Sequence, residues 1–287
     1  FDMQAPLDLR LVTTFVRAAQ LGTLSATAVQ VGRTQSAVTM QIQRLEEVIG
    51  QSLFHRKGSG VSLTASGARF LVYAERILKL QDDAVSALSD KGLHGSIIFG
   101  SPEDYLIAFF PMILKTFGSL YPDVEIKVVS APTVELRGLL NSRQVDLALV
   151  STPNATDSAD VVRPEPLVWV GSKPTLELHD FGETIPMALP ASNAMDHRAA
   201  CDAMARAGLR YKISYASNSL AGLIAVARSG MAISVMTKEA VPSDLYILNA
   251  PLPQLSTLGM LIAYADAERS PAVEAFADHI RRVLPTL

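Results

Sequence analysis

Apolar positions in the first ninety residues recur with the period of a helix. Val12, Phe15, Val16 and Ala19 make one stripe and predict a first helix over residues 7–20. A short second helix is expected from Ser25, whose hydroxyl can cap it, to about Val31, with Gly32 supplying a tight turn. A third helix opens on Thr34 and carries Val38, Ile42, Leu45 and Ile49 at spacings of four, three and four. Its other face holds Gln35, Ser36, Thr39 and Gln43, with Met40 beside them. Residues 53–63 read as two short strands around Gly58-Ser59-Gly60, with Arg56 and Lys57 near the tip. Thr64 is then expected to cap a long helix over 64–90. On it Phe70, Leu71, Ala74, Ile77, Leu78, Gln81, Val85 and Leu88 form a heptad-like seam that suits pairing with a second copy. Gly92 and Gly95 break that helix.

From Ser96 the pattern changes to alternating apolar runs and helical stretches. Strands are expected at 97–99, 124–129, 145–150, 167–170, 186–189, 212–215, 232–235 and 258–264, with helices over 105–120, 134–141, 195–207, 220–228 and 273–283. Repeated strand–helix units argue for parallel sheets with helices on both faces. The fold class is therefore α/β overall, with an N-terminal all-α-type winged helix-turn-helix and a long linker helix ahead of the α/β part.

The polar row on the third helix is where chemistry enters. Gln35, Thr39 and Gln43 repeat every four residues and project together, and glutamine can bond adenine through two atoms in a major groove. An ordinary solvated helix face has the same pattern, and the surroundings decide between the two. A helix-turn-helix with a basic wing places Arg56 and Lys57 on phosphates or in a minor groove. Residues 10–72 hold seven basic side chains against Glu46 and Glu47, a net of +5 in a chain whose total is −3. A positive head on a negative body fits a DNA-binding module joined to one with another task.

Length and composition agree. A chain of 287 residues, 49% of them hydrophobic, is long enough for a small and a larger domain. No apolar run reaches the length of a membrane span, no basic-plus-apolar leader is visible, and the single cysteine, Cys201, suits a reducing compartment, so a cytoplasmic protein without a membrane is expected. Enzymatic readings find little support. The five histidines show no metal-ligand spacing, no phosphate loop or nucleophile elbow is present, and Asp196-His197 reads as a surface pair at a helix start. No cofactor or metal is expected. Cys201 reads as a buried packing residue, and Trp169 as part of a strand packing the second half of the α/β part.

Several of these segments together resemble the amino-terminal domain of the LysR-type transcriptional regulators. The elements are Phe15, the pair Thr27-Ala28, Thr34-Gln35-Ser36-Ala37, Gln43-Arg44-Leu45-Glu46, Leu53-Phe54-His55-Arg56 and Leu63-Thr64-Ala65-Ser66-Gly67, in order. Thr27 stands where that family usually has alanine and Val31 where it usually has leucine, both on the packing side of the second helix. The resemblance implies double-stranded DNA as a partner, read by Arg33, Thr34, Gln35, Ser36, Thr39 and Gln43 with Arg56 and Lys57 on the backbone. It also implies a homodimer or a dimer of dimers.

The rest of the chain resembles the family's two-lobed effector domain, which shares its fold with periplasmic solute-binding proteins. The implied organisation is a DNA-binding domain over 1–63, a dimerising linker helix over 64–91 and an effector-binding domain over 92–287. In the last, one lobe comprises 95–160 with 257–287 and the other 161–256, the chain crossing near 160–164 and 252–256. In open sheets of this kind ligands bind beyond the carboxyl ends of strands, where helix amino termini point. The segments there supply Ser101, Pro102, Glu103 and Asp104, then Thr133, Ser151, Ser192 and Asn193, then Ser217, Asn218 and Ser219 as candidate contacts to a small-molecule effector. Hydroxyls and free amides suit a carboxylate, whereas Glu103 and Asp104 suit an amine or hydroxyl, so the sequence leaves the sign of the effector's charge open. Serines after strands are also ordinary helix caps. The expected function is a sequence-specific, ligand-responsive transcriptional regulator. The alternative is a cytoplasmic solute-binding protein whose first ninety residues are a helical adaptor.

Overall fold

The computed structural model describes residues 6–57, 60–87, 92–153, 160–175, 183–249 and 251–287, except for the side chains of residues 56, 57, 86 and 87. The chain divides into two compact units, Phe1–Asp90 and Lys91–Leu287.

In the first unit, helix α1 (Leu9–Leu21) starts on the Asp8 carboxylate, which accepts from the Arg10 amide, and stops at Gly22 with φ 67°. It buries Leu11, Val12, Phe15, Val16 and Ala18, while the expected Ala19 is only half-buried at the edge of the stripe. Helix α2 (Leu24–Gln30) is capped by the Thr23 hydroxyl, which accepts from the Ala26 amide at 3.3 Å. The expected cap, Ser25, lies inside the first turn. Thr23 takes the role because its extended backbone (φ −140°, ψ 140°) puts its oxygen over the unpaired amides, a placement Ser25 loses once it is helical. Gly32, at φ 63°, makes the turn into α3 (Gln35–Ile49), whose Thr34 cap accepts from the Ala37 amide at 3.2 Å. Val38, Ile42 and Leu45 are buried against α1, and the Phe15 ring sits 5.2 Å from both Phe54 and Phe70.

Strands β1 (Phe54–Lys57) and β2 (Gly60–Leu63) pair antiparallel as the wing, Phe54 opposite Leu63 and Lys57 opposite Gly60. Two ties fix it to the helices: the Val61 amide donates to the Gly22 carbonyl at 2.8 Å, and the Glu46 carboxylate accepts from the Leu53 and Phe54 amides at 2.6 and 3.2 Å. Helix α4 (Ala65–Ala87) begins on Thr64, whose hydroxyl accepts from the Gly67 amide at 2.9 Å. A side chain at Gly67 would overlap the Leu53 carbonyl, so this start requires glycine. The seam on α4 divides in two. Ala74 is buried, and Phe70, Leu71 and Leu78 pack on the unit's own core. Val85 is exposed, as are Tyr73 and Leu80 outside the seam. Leu88 and the end of the expected helix lie outside the described residues.

The second unit is built on a nine-stranded sheet in the order β4-β3-β5-β11-β6-β9-β7-β8, with β10 also on β6. The strands are β3 (Gly95–Ser101), β4 (Val124–Ser130), β5 (Leu147–Thr152), β6 (Val161–Gly171), β7 (Ile185–Leu189), β8 (Tyr211–Ala216), β9 (Ile233–Thr237), β10 (Tyr246–Leu248) and β11 (Thr257–Tyr264). The helices are α5 (Glu103–Ala108), α6 (Phe110–Leu120), α7 (Thr133–Asn141), α8 (Met195–Arg206), α9 (Leu220–Ser229) and α10 (Pro271–Val283). The sheet is mixed rather than parallel throughout. Pairing is parallel for β3 with β4 and β5 and for β7 with β8 and β9, but β11 runs antiparallel to β5 and β6, and β6 antiparallel to β9. Parallel neighbours need a crossover connection, and the helices supply it only within each half of the sheet.

Two further expectations change. The single helix over 105–120 is two, broken at Phe109, because Pro111 has no amide to donate to the Ile107 carbonyl one turn back and its ring crowds that carbonyl, whereas proline is tolerated in the first turn of a new helix. The strand over 167–170 begins six residues earlier, so 161–164, expected as a linker, pair with β11. There the fully buried Glu165 carboxylate accepts from Arg163 at 3.3 Å, and the Arg163 guanidinium lies 4.8 Å from the Phe109 ring and donates to the Leu284 carbonyl at 3.1 Å. One core gathers Phe99, Phe117, Leu147 and Phe276 between β3, β5, α6 and α10. Another gathers Trp169, Met187, Met204 and Val235 between β6, β7, β9 and α8. The Trp169 indole donates to the Pro253 carbonyl at 2.7 Å, and Cys201 is half-buried at the margin of the same core.

Candidate functional site

The first unit brings the expected DNA-reading residues to one exposed surface. Arg33, Gln35, Ser36, Met40 and Gln43 are exposed, and Thr39 is half-buried. Three hydroxyls already have local work. Thr34 caps α3, Ser36 lies 3.0 Å from the Thr34 hydroxyl, and Thr39 donates to the Gln35 carbonyl at 3.0 Å. The amides of Gln35 and Gln43 and the guanidinium of Arg33 are therefore the groups on this surface best suited to an incoming partner. Arg56 and Lys57 hold their backbone places in β1, and their side chains lie outside the described residues. Thr27, the departure on α2, is fully buried and donates to the Thr23 carbonyl at 2.7 Å, which satisfies the hydroxyl that alanine would lack.

The second unit holds a cavity of about 190 Å³ at the carboxyl ends of its parallel strands. Of the candidate contacts, Pro102, Glu103, Asp104, Thr133, Ser151, Asn193, Ser217, Asn218 and Ser219 line it. Ser101 does not: it is fully buried behind the wall, its hydroxyl 3.3 Å from the Pro102 carbonyl. Ser192 is exposed outside it. Several hydroxyls in the wall are already engaged. The Thr133 hydroxyl accepts from the Ser151 amide at 3.0 Å, the Ser151 hydroxyl is 2.9 Å from the Tyr105 phenol, and the Ser217 hydroxyl folds into its own turn against Ser219. Gly222 is needed beneath that turn, since a side chain there would overlap the Ser217 hydroxyl. Apolar wall comes from Leu167, Leu220, Leu223, Val235, Met236 and Leu258, which the reading of strand ends alone did not reach.

The expectation for Asp196 is corrected outright. It does not sit on the outer surface but lines the cavity from the first turn of α8, with one carboxylate oxygen accepting from the His197 amide at 3.0 Å. The neighbouring His197 ring bonds the Pro190 carbonyl at 2.9 Å. Burial raises the pKa of Asp196, and burial together with the charge of Asp196 pushes Asp104 up to about 7. Glu103 has a different fate: its carboxylate accepts from the Leu220 amide at 2.7 Å and so caps α9, whose own Ser219 makes no side-chain cap. The sequence signal for Asp196 was available only in part, as an acid in a helix first turn after a strand end. Among the described residues no cluster of His, Cys, Asp and Glu is placed to hold a metal ion, and no helix is long and apolar enough to cross a membrane.

Comparison with known proteins converges on one family. A model of the bacterial regulatory helix-turn-helix protein, lysR family, matches residues 9–68, and one of the LysR substrate binding domain matches residues 90–285. The HTH-type transcriptional regulator DgdR of Burkholderia cepacia is 46% identical over 98% of this chain and 96% of its own length. The regulator PecT of Dickeya dadantii (strain 3937) is 33% identical over 87% and 79%. Among solved structures, full-length CbnR complexed with its target DNA superposes with a TM-score of 0.66 at 19% identity, covering 96% of this chain and 99% of that one. Vibrio fischeri DarR in complex with DNA gives 0.55 at 17% identity, over 96% and 99%.

Proposed function

The chain belongs to the LysR family of transcriptional regulators, and from that premise we propose that Gln35 and Gln43 read base edges while Arg33, Arg56 and Lys57 hold phosphates, and that the cavity at the strand ends takes a small effector. The observation that carries the DNA reading is the exposed row on α3 beside a wing tied to it through Glu46. Phosphate contacts set register, and amides in a major groove supply the sequence preference. The effector reading rests on a cavity walled from both halves of the second unit, with β6 and β11 as the crossing strands. A ligand that favours one arrangement of the two halves shifts the population of regulator states by its difference in affinity. The protein works as a homodimer or a dimer of dimers, its exposed α4 residues Tyr73, Leu80 and Val85 supplying the apolar contact, and it acts in the cytoplasm without a membrane.

The test is binding of the purified chain to the DNA flanking its own gene, against a scrambled duplex, across a salt series. Tighter binding to the native duplex with a steep salt dependence is expected. Equal, weak binding to native duplexes and scrambled controls, including fragments drawn from the whole genome, overturns the base-reading role.

A further inference from the structure

The cavity wall is electrically one-sided. Glu103, Asp104 and Asp196 line it, and no lysine, arginine or histidine among the described residues does. Glu103 has an answering group in the amino terminus of α9. Asp104 and Asp196 have no answering cation: each accepts from the backbone amide that follows it, the one side chain leaning on Asp104 is the neutral Thr237 hydroxyl, and the charge of Asp196 adds to the cost of ionising Asp104. A second observation lies behind Asp104. The Thr237 hydroxyl is buried, lies beside that carboxyl and has no hydrogen-bond partner of good geometry. Two half-buried carboxyls with no cation among them are costly to keep ionised. The uncapped amino termini of α5, α7 and α8 also meet the cavity, but each helix end contributes only about half a unit charge and none is a cation.

We infer that the effector bears an ammonium group, seated against Asp104 and Asp196. This inference rests on the effector reading of the cavity given above. A primary ammonium carries three donors, which two carboxylates and a neighbouring carbonyl or hydroxyl can accept. The volume of about 190 Å³ and the apolar wall of Leu223, Val235, Met236 and Leu258 suit a small hydrocarbon skeleton on that amine. A cation there neutralises the pair and strengthens both carboxylates as acceptors. Ligand charge, and not size alone, then sets which molecules the cavity admits.

Three probes of one skeleton separate the possibilities: isobutylamine, isobutyrate and isobutanol, each followed by saturation-transfer difference NMR on the full chain. At pH 8 the Asp104 carboxyl, pushed up to about 7, is mostly ionised. Isobutylamine is expected to show saturation well above the other two. Asp104→Asn and Asp196→Asn are each expected to weaken its binding about tenfold or more. Asn193→Trp, a change at an exposed turn residue that fills the mouth, is expected to abolish it. Saturation of isobutyrate that Asn193→Trp removes keeps the cavity as a ligand site and overturns the ammonium assignment. Isobutylamine binding that neither Asn substitution weakens overturns it too. If Asn193→Trp leaves every probe unchanged, the effector reading of the cavity fails, and the assignment with it.

Discussion

Replacing Glu46 by alanine tests how the wing is held to α3. The carboxylate of Glu46 accepts from the Leu53 amide at 2.6 Å and from the Phe54 amide at 3.2 Å. Hydrogen bonds to a charged group are worth about 1.5–3 kcal/mol each, and a buried amide left unpaired costs about 1–3 kcal/mol. Leu53 is fully buried, so its amide has no water to turn to, whereas Phe54 lies nearer the surface and recovers part of its loss. Together these give a local destabilisation of about 2–4 kcal/mol for Glu46→Ala. Since each 1.36 kcal/mol is tenfold, hydrogen exchange at the Leu53 and Phe54 amides is expected to speed up by about 30- to 1,000-fold. Glu46→Gln keeps one acceptor and is expected to lose about 1 kcal/mol. The assay is native-state hydrogen exchange of the full chain, read over residues 51–64, with the α1 amides as the internal control. Exchange at Leu53 and Phe54 unchanged in Glu46→Ala, while the control amides also stay protected, refutes the tie. On the phosphate role proposed for Arg56 and Lys57, loosening the wing is also expected to weaken cognate and random DNA by the same factor.

Gln35→Ala is expected to cost roughly 1–3 kcal/mol on a cognate duplex and little on random DNA, and equal losses on both in an anisotropy titration remove its base contact. Phe276→Ala leaves a hole beside Phe99 and Phe117, whose rings lie 5.3 and 4.8 Å from it. That substitution is expected to destabilise the second unit by about 3–5 kcal/mol in urea, and a loss under 1 kcal/mol contradicts the packing. The Asp104 carboxyl titrates near 7 in the folded chain against 3.8 for its ordinary value, so the folded state holds that proton more tightly and stability is lost as pH rises through 7. Asp104→Asn removes this slope, so the variant gains in melting temperature over the parent between pH 5 and pH 8, and a difference constant with pH overturns the assignment. Glu103→Ala deprives α9 of its cap at a cost of about 0.5–2 kcal/mol, seen as faster exchange of the Leu220 amide, and unchanged exchange there refutes the capping role.

Local physics made the first unit largely legible. Spacing alone placed α1 and α3, because one buried stripe on a helix leaves a periodic trace whatever it packs against. Thr34 was readable as a cap, since an extended residue ahead of a helical stripe has few other uses for its hydroxyl. Ser25 misled because Thr23, two residues earlier, offers the same chemistry, and only the backbone angles choose between them. The break at Phe109 was written in the chain as Pro111 and was masked by the continuous apolar run on either side. The antiparallel crossing of β6 and β11 left no such trace, because it depends on partners about ninety residues apart.

The cavity shows the limit most sharply at two adjacent acids. Glu103 and Asp104 are alike in the sequence, and both were candidates for the mouth. Folding gives one of them an amide 117 residues away and leaves the other facing a third acid from α8. Nothing local distinguishes them, because the deciding groups, Leu220 and Asp196, arrive through the topology of the sheet. The consequence is functional as well as structural. Glu103 spends its charge holding α9 against α5 across the cavity, so its contribution to the wall is closure. Asp104 is left without a balancing cation, so on the ammonium assignment proposed above its contribution is selectivity. On that assignment a residue that closes the cavity and one that would choose its occupant stand side by side, and the long-range partner of each decides which is which.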